Sequence, residues 1–233
     1  MASQSQKTPI AIMIGGGAKL PAIIKAAQKP QSKFYIRLVV SHKKESWGLK
    51  FALENQIPAV YWNLPDYRSR MASGDSKARS NYMKDLGWFI SQPQYRPKLL
   101  VFGGWDLVMD DNFFNFFKCN FGEGYAAINA HPALLPKKGE GDKITLPDGT
   151  ISPVIKGEQT DVFKAVLAKR LTYFGPTIHF MKPTVYDTGE VIRRKFIRVG
   201  DIKTIEDLRA KFMPIEDRIF IQAINEVIEK YIN

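Results

Sequence analysis

Residues 126–141, AAINAHPALLPKKGEG, place two polar side chains at the end of an apolar run. Asn129 and His131 are two positions apart, so in a β-strand their side chains point to the same face. An asparagine amide can donate a hydrogen bond to a developing oxyanion, and an imidazole can move a proton or stabilise charge near neutral pH. Pro132 and Pro136 stiffen the following loop. The pair suits chemistry at a carbonyl, while a histidine that only bonds a backbone carbonyl is the structural alternative.

A second segment, PTIHFMKPTVYDTGEVI at 176–192, carries His179 within an apolar strand and Asp187 at the start of a DTG turn. Such an aspartate is either an Asx-type turn former or a base that takes a proton from an attacking amine. With the asparagine and histidine it would suit acyl transfer by direct amine attack. The chain has no serine in a nucleophile elbow, and Cys119 lies in the ordinary context FFKCNF, which argues against a covalent acyl-enzyme.

A glycine turn follows the first apolar run, in IMIGGGAKLPAII at 12–24. The backbone N–H groups of such a turn and the N-terminus of the next helix can hold a phosphate, and Lys19 adds a cation. The dinucleotide fingerprint is incomplete, because Leu20 stands where its third glycine would fall. A phosphate loop and a plain tight turn therefore both stay open.

Alternating strand and helix patterns predict a doubly wound, mostly parallel α/β sheet with helices on both faces. The predicted strands are 9–14, 34–41, 58–63, 97–105 and 124–130, and the predicted helices are 18–29, 46–56, 69–92 and 110–118. Beyond residue 131 the pattern changes to an antiparallel part. It comprises a hairpin at about 141–157, a helix at 159–170, and strands at 176–182 and 190–199.

The last predicted element is a helix that begins at Thr204 as N-cap and keeps helical apolar spacing over the sheet. Pro214 is expected to kink or split this helix. Residues 1–8 are predicted to be a disordered tail, and 9–233 a single domain.

The composition excludes several classes of protein. The chain has 233 residues, of which 45% are hydrophobic, with one cysteine and three histidines. This argues against a disulfide framework and a structural metal site. No apolar run reaches membrane-spanning length and the N-terminus lacks the core of a secretion signal, so a cytoplasmic protein without a membrane partner is expected. The net charge of +11 favours anionic partners, yet the basic residues are scattered as on an ordinary surface.

The motifs resemble one known family. INAHPALLP is similar to the N-x-H-P-S-L-L-P motif of the folate-dependent formyltransferases, and its histidine–proline pair is most similar to the branch that formylates glycinamide ribonucleotide in de novo purine synthesis. GPTIHFMKPTVYDTGEVI resembles the family's G-x-[ST]-V-H-F…D-x-G-x-x-I segment, IMIGGGAKLPAII its phosphate loop, and LLVFGGWDLVM its folate-side loop. The resemblance spans about residues 9–230 and implies a Rossmann-like fold.

The resemblance implies roles for the matching residues. Asn129 and His131 would polarise the formyl group of 10-formyltetrahydrofolate and stabilise a tetrahedral intermediate, while Asp187 would orient water or take the amine's proton. The supporting residues would be Thr177 and His179. The substrate phosphate would be bound by Gly16, Gly17, Ala18 and Lys19. The folate would be bound by Trp105, Asp106, Leu107 and Val108, together with the loop before Asp187. No metal is expected.

Several departures from the family pattern leave the formyl acceptor open. The phosphate loop is one residue shorter than G-x-G-S-N-L, KKGEG replaces the usual aromatic–x–G, and the hairpin at 141–157 looks inserted. Alternatives are an amino sugar on a nucleotide carrier as acceptor, or hydrolysis of the formyl folate. A non-catalytic basic nucleotide- or nucleic-acid-binding module would explain the charge but not the polar triad, so nucleic acid is not the expected partner. Two small-molecule substrates and a monomer or homodimer are expected.

Overall fold

The chain forms a central sheet covered by helices on both faces, in a computed structural model that describes residues 7–185 and 187–232. The strands are β1 (Thr8–Ile14), β2 (Phe34–Ser41), β3 (Ala59–Tyr61), β4 (Leu99–Phe102), β5 (Ala127–His131), β6 (Lys143–Thr145), β7 (Ile151–Pro153), β8 (Tyr173–Phe174), β9 (Thr177–Phe180), β10 (Val191–Arg194) and β11 (Ile197–Arg198). The helices are α1 (Leu20–Ala27), α2 (Trp47–Glu54), α3 (Leu64–Ala72), α4 (Ala78–Ser91), α5 (Asp111–Phe114), α6 (Gln159–Ala168) and α7 (Ile205–Val227). Of the predicted disordered tail, residues 1–6 lie outside the described residues, and Thr8 already belongs to β1.

The sheet has seven strands in the order β10-β9-β5-β4-β1-β2-β3. Strands β3, β2, β1, β4 and β5 pair in parallel, and β9 and β10 add the antiparallel part, which confirms the predicted fold class. The chain winds outward in opposite directions from β1, which pairs with β2 on one side and β4 on the other. Ligands of open α/β sheets bind at the carboxyl ends of the strands beside such a switch point.

The apolar run of β1 is continuous because the sheet is buried on both faces. Ile10 and Ile12 pack in a core shared with α1 and α7, whereas Ala11 and Met13 pack in a second core with α4 and α5. Successive side chains of a strand point to opposite faces, so every position of this strand meets a helical layer.

Three predicted elements differ from the structure. The single helix expected at 69–92 is wrong: α3 and α4 are separate, and Gly74 between them has φ +94°, which ends the first helix in a left-handed turn. The long strand expected at 190–199 is divided into β10 and β11, and β11 pairs with β8 in a small sheet of its own.

Of the kink or split expected at Pro214, the split is wrong. Helix α7 runs through this residue without interruption from Ile205 to Val227. Apolar side chains on both sides of the proline, among them Phe212 and Ile219, are buried against the rest of the domain. Their burial offsets the one backbone hydrogen bond that a proline removes from a helix.

Strands β6 and β7 form an antiparallel hairpin inside the predicted range 141–157. Its inward side chains Ile144 and Leu146 pack with Leu134, which lies three residues beyond His131. The hairpin is therefore attached to the loop that follows the Asn–His pair.

The glycine turn after β1 is shaped by close backbone contacts. Gly17 has φ +99°, and a Cβ atom there would lie 2.5 Å from the Cα of Gly48 at the start of α2. A Cβ on Gly15 would lie 2.6 Å from the Gly104 carbonyl oxygen. Gly16 has no atom within 4 Å of its Cβ position. Two of the three glycines thus have a packing reason that requires no ligand.

We expect Gly17→Ala to lower the free energy of unfolding by about 1–3 kcal/mol. The alanine would be forced into a left-handed conformation, and its Cβ atom would be pressed against Gly48. Thermal unfolding of the purified variant measures this loss. Gly16→Ala is the matched control, and equal melting temperatures for both variants would show that the contact with Gly48 is not required.

Candidate active site

The site begins with the pairing of β5 and β9. In this antiparallel register Asn129 lies opposite His179, and His131 lies opposite Thr177. Side chains of directly opposed residues lie close together on one face. The pairing therefore brings two predicted catalytic residues beside the two predicted supporting residues.

Asp187 contacts both histidines. Its Oδ2 lies 3.1 Å from Nδ1 of His131, and its Oδ1 lies 3.6 Å from Nε2 of His179. Burial alone would oppose ionisation of this carboxyl group, but hydrogen bonds from His131 and His179 hold its pKa well below the usual range. Asp187 is thus an ionised carboxylate, and it lies between two imidazole rings.

The ring of His131 lies between two hydrogen-bond acceptors. Nδ1 faces the Asp187 carboxylate, and Nε2 lies 3.0 Å from the Ile155 carbonyl oxygen. A neutral imidazole carries one N–H and can donate to only one of them, whereas the doubly protonated ring donates to both.

His179 and Thr177 hold neighbouring groups in place. Nδ1 of His179 lies 2.8 Å from the Phe180 carbonyl oxygen, which can only accept, so this nitrogen carries a proton. Nε2 of His179 lies 3.4 Å from the side-chain nitrogen of Asn129. The buried Thr177 hydroxyl accepts a hydrogen bond of 3.0 Å from the backbone N–H of Leu135, which fastens the loop after His131.

The DTG turn presents Asp187 in a strained conformation. Asp187 has φ +51°, in the left-handed region that most residues avoid. The backbone at Gly189 runs so close to Phe180 that a Cβ atom would lie 1.6 Å from the Phe180 carbonyl oxygen. Glycine is required there, and the turn is held against β9 so that the Asp187 carboxylate reaches both histidines.

Asn129, His131 and Asp187 line a cavity of about 510 Å³ at the carboxyl ends of the parallel strands. Its walls come from the turns after β1, β2, β4 and β5, from the segment between the hairpin and α6, and from α7. The lining residues are Lys19, Lys43, Gly104, Trp105, Asp106, Asn129, Ala130, His131, Pro132, Lys156, Gly157, Glu158, Gln159, Asp187 and Glu216.

Of the four residues predicted to bind phosphate, Lys19 lines the cavity and Gly16, Gly17 and Ala18 do not. The ammonium nitrogen of Lys19 lies 2.7 Å from Oε2 of Glu216 on α7, and both side chains are buried. The backbone N–H of Gly15 donates to the Gly104 carbonyl oxygen at 2.9 Å, whereas within the described residues those of Gly16, Gly17 and Ala18 have no hydrogen-bond acceptor. The turn therefore keeps free donors, while its lysine is already paired with a carboxylate.

The four residues predicted to bind folate divide into two pairs. Trp105 and Asp106 line the cavity, whereas Leu107 and Val108 lie behind it, with Leu107 packed against the second core. The indole N–H of Trp105 donates to the Met109 sulfur at 3.1 Å. Only the first pair is placed to meet a ligand in this cavity.

Asp106 is held by two side chains from the turn after β2. Its Oδ1 lies 2.6 Å from Nε2 of the buried His42, and its Oδ2 lies 2.8 Å from the Lys43 ammonium. Hydrogen bonds from His42 and Lys43 keep the pKa of Asp106 well below its usual range. The carboxylate is ionised, and its charge is partly balanced before any ligand binds.

Sequence reasoning missed His42, Lys43, Glu216 and the cavity wall at Lys156–Gln159. Glu216 had a sequence signal, because it lies at a core-facing position of α7 between Phe212 and Ile219. A fully buried carboxylate in such a position requires a partner or a function. The other residues had no comparable signal.

Neither a metal centre nor a membrane-spanning element is found in the described residues. No group of three or more metal-ligating side chains is close enough together there to hold an ion. No helix within these residues has the length and apolar character needed to cross a bilayer.

A family model for formyl transferases matches residues 8–224, nearly the whole described chain. The chain therefore belongs to the formyl transferase family, and it is a formyltransferase.

Several phosphoribosylglycinamide formyltransferases are similar to this chain. A chloroplastic phosphoribosylglycinamide formyltransferase of Arabidopsis thaliana is 25% identical over 98% of this chain and 68% of its own length. The phosphoribosylglycinamide formyltransferase of Dictyostelium discoideum is 28% identical over 91% of this chain and 94% of its own. The solved structure of that enzyme from Coxiella burnetii, in complex with CHES, is 26% identical and superimposes with a TM-score of 0.71, covering 93% of this chain and 85% of the other.

Asp217 on α7 gives the stability of the fold a measurable pH dependence. Burial raises its pKa to about 6, with a further contribution from the negative charge of Glu216 and an opposing one from Lys19. Because the folded-state value exceeds that of the unfolded chain, ionisation of Asp217 destabilises the fold, and this penalty is fully present above about pH 6.

Asp217→Asn should therefore raise the melting temperature at pH 7.5, and the gain should shrink as the pH falls from about 6 towards 4. Thermal unfolding across this range measures it. The exposed Asp142→Asn is the control, and a gain that is the same at every pH would contradict a role for Asp217 ionisation.

Proposed function

We propose that this formyltransferase moves the formyl group of 10-formyltetrahydrofolate to the amine of glycinamide ribonucleotide, as the names of its relatives suggest. The observation that carries the proposal is the convergence of Asn129, His131 and Asp187 on one cavity in a chain of this family. Bound 10-formyltetrahydrofolate would supply the activated formyl carbon. No metal is needed, since protein side chains can supply the charge and the proton transfers.

Asn129 and His131 would stabilise the formyl oxygen as the amine attacks. An amide N–H of Asn129 would donate a hydrogen bond to this oxygen, which gains negative charge when the new C–N bond forms. The ring of His131, which Asp187 and the Ile155 carbonyl hold in place, would lie beside the same oxygen. Donors and charges that are already oriented need no rearrangement during the reaction.

Asp187 would act mainly through its neighbours. A carboxylate with a pKa well below its usual range is a weak base. Its two oxygen atoms would orient both histidine rings. The proton released by the attacking amine would then move to the folate nitrogen through water held by Asp187. When the old C–N bond breaks, that nitrogen leaves protonated.

The rest of the cavity would divide between the two substrates. Trp105 and Asp106 would border the folate, since the carboxylate can accept hydrogen bonds from the donor edge of a pterin. Lys19 and Glu216 would meet the acceptor. Glu216 Oε1 has no hydrogen-bond donor among the described residues, and ribose hydroxyls would supply one.

The proposal is tested by following the loss of 10-formyltetrahydrofolate with and without glycinamide ribonucleotide. Loss that depends on the ribonucleotide, with formation of its formyl amide, supports it. Loss without any acceptor would identify a hydrolase. Loss only with a nucleotide-linked amino sugar would identify a formyltransferase with another acceptor.

Asp187→Asn should lower turnover by about 10²–10⁴-fold with little change in folate affinity, because an amide with one acceptor oxygen cannot orient both histidine rings and the proton-carrying water as the carboxylate does. Steady-state kinetics and a folate-binding titration measure the two effects. The exposed Asp142→Asn serves as the matched control. An unchanged turnover in Asp187→Asn would exclude this carboxylate from the mechanism.

A further inference from the structure

The charges that line the cavity are unequally satisfied. Three lysines and four carboxylates contribute to its walls. Lys19 is paired with Glu216, and Lys43 with Asp106. An anionic substrate group would have to compete with a carboxylate for either of these lysines, which weakens each as a primary anion site.

Lys156 is the exception. It forms no ion pair and no side-chain hydrogen bond with any residue in the described part of the chain, and this exposed residue lines the cavity. Glu158, two residues further on, also lines the cavity without a partner in that part of the chain, so it would compete with an anion for Lys156.

The position of Lys156 is fixed by its neighbour. The Ile155 carbonyl oxygen lies 3.0 Å from Nε2 of His131. Lys156 directly follows Ile155, so its backbone is next to a group that contacts a proposed catalytic residue. The preceding hairpin is anchored through Ile144 and Leu146 to Leu134, on the loop after His131. A lysine side chain can place its ammonium several ångströms further along a cavity wall while its Cα atom stays fixed.

We propose that the segment after the hairpin is an anion-binding element of the active site, in which Lys156 holds the acidic group of a substrate. The inference rests on the proposed function, because both substrates of that reaction carry such a group. These are the phosphate of the acceptor and the glutamate carboxylates of the folate. It assigns a purpose to a hairpin that departs from the family pattern.

The test uses two probes that each carry one of these acidic groups. Ribose 5-phosphate represents the acceptor's phosphate, and p-aminobenzoylglutamate represents the acidic end of folate. Calorimetric titration of the full chain gives the Kd of each probe for the wild type, Lys156→Gln and Lys143→Gln. Lys143 lies exposed on β6, in the same hairpin but outside the cavity lining, and is the matched control.

The expected result is a Kd about tenfold higher in Lys156→Gln for one of the probes, the size of a lost charge-assisted hydrogen bond at a partly exposed site. Lys143→Gln should bind as the wild type does. Glu158→Gln should bind the same probe more tightly, because a competing carboxylate is removed. The probe that responds identifies the source of the acidic group.

The inference is overturned if neither probe binds the wild type, or if Lys156→Gln binds both with unchanged Kd. Turnover with glycinamide ribonucleotide is measured separately on the same preparations. Wild-type turnover together with unchanged binding in Lys156→Gln would remove this inference alone. Probe binding that depends on Lys156 without any turnover would remove the proposed acceptor and keep the anion site.

Discussion

The antiparallel pairing of β5 with β9 is the constraint on which the rest of the site depends. Its register sets Asn129 opposite His179 and His131 opposite Thr177. A shift by one residue would turn these side chains to the other face of the sheet, where α1 and α7 pack. The close approach of Gly189 to Phe180 then fixes the DTG turn against β9, so the Asp187 carboxylate meets both histidines. Backbone geometry therefore decides where the polar groups converge.

Except at Lys156 and Glu158, the charged groups of the cavity have partners of complementary polarity before a ligand binds. Asp187 faces two imidazole rings, Asp106 faces His42 and Lys43, and Glu216 faces Lys19. Desolvated charges are costly unless they are paired, so these contacts keep the groups ionised inside a partly enclosed site. A substrate then exchanges partners with groups that are already charged and oriented, which reduces the reorganisation needed during the reaction.

The hairpin extends this arrangement to a part of the chain that is remote from the sheet. It packs on the loop after His131 through Leu134, and its trailing segment places the Ile155 carbonyl against the His131 ring. The hairpin and its trailing segment thus share an apolar cluster with Leu134 and a hydrogen bond with His131. Any change in the hairpin is expected to reach the histidine through these two contacts.

The sequence by itself determined the alternation of strands and helices, the doubly wound class and the candidates Asn129, His131 and Asp187, because local periodicity and residue types can be read without tertiary information. It did not determine that α7 would continue through Pro214, since burial on both sides outweighs a local rule. Nor did it determine that Lys19 would face Glu216 or that His131 would face Ile155. Those contacts join residues far apart in the chain, and only the tertiary structure, which sets their separation in space, decided them.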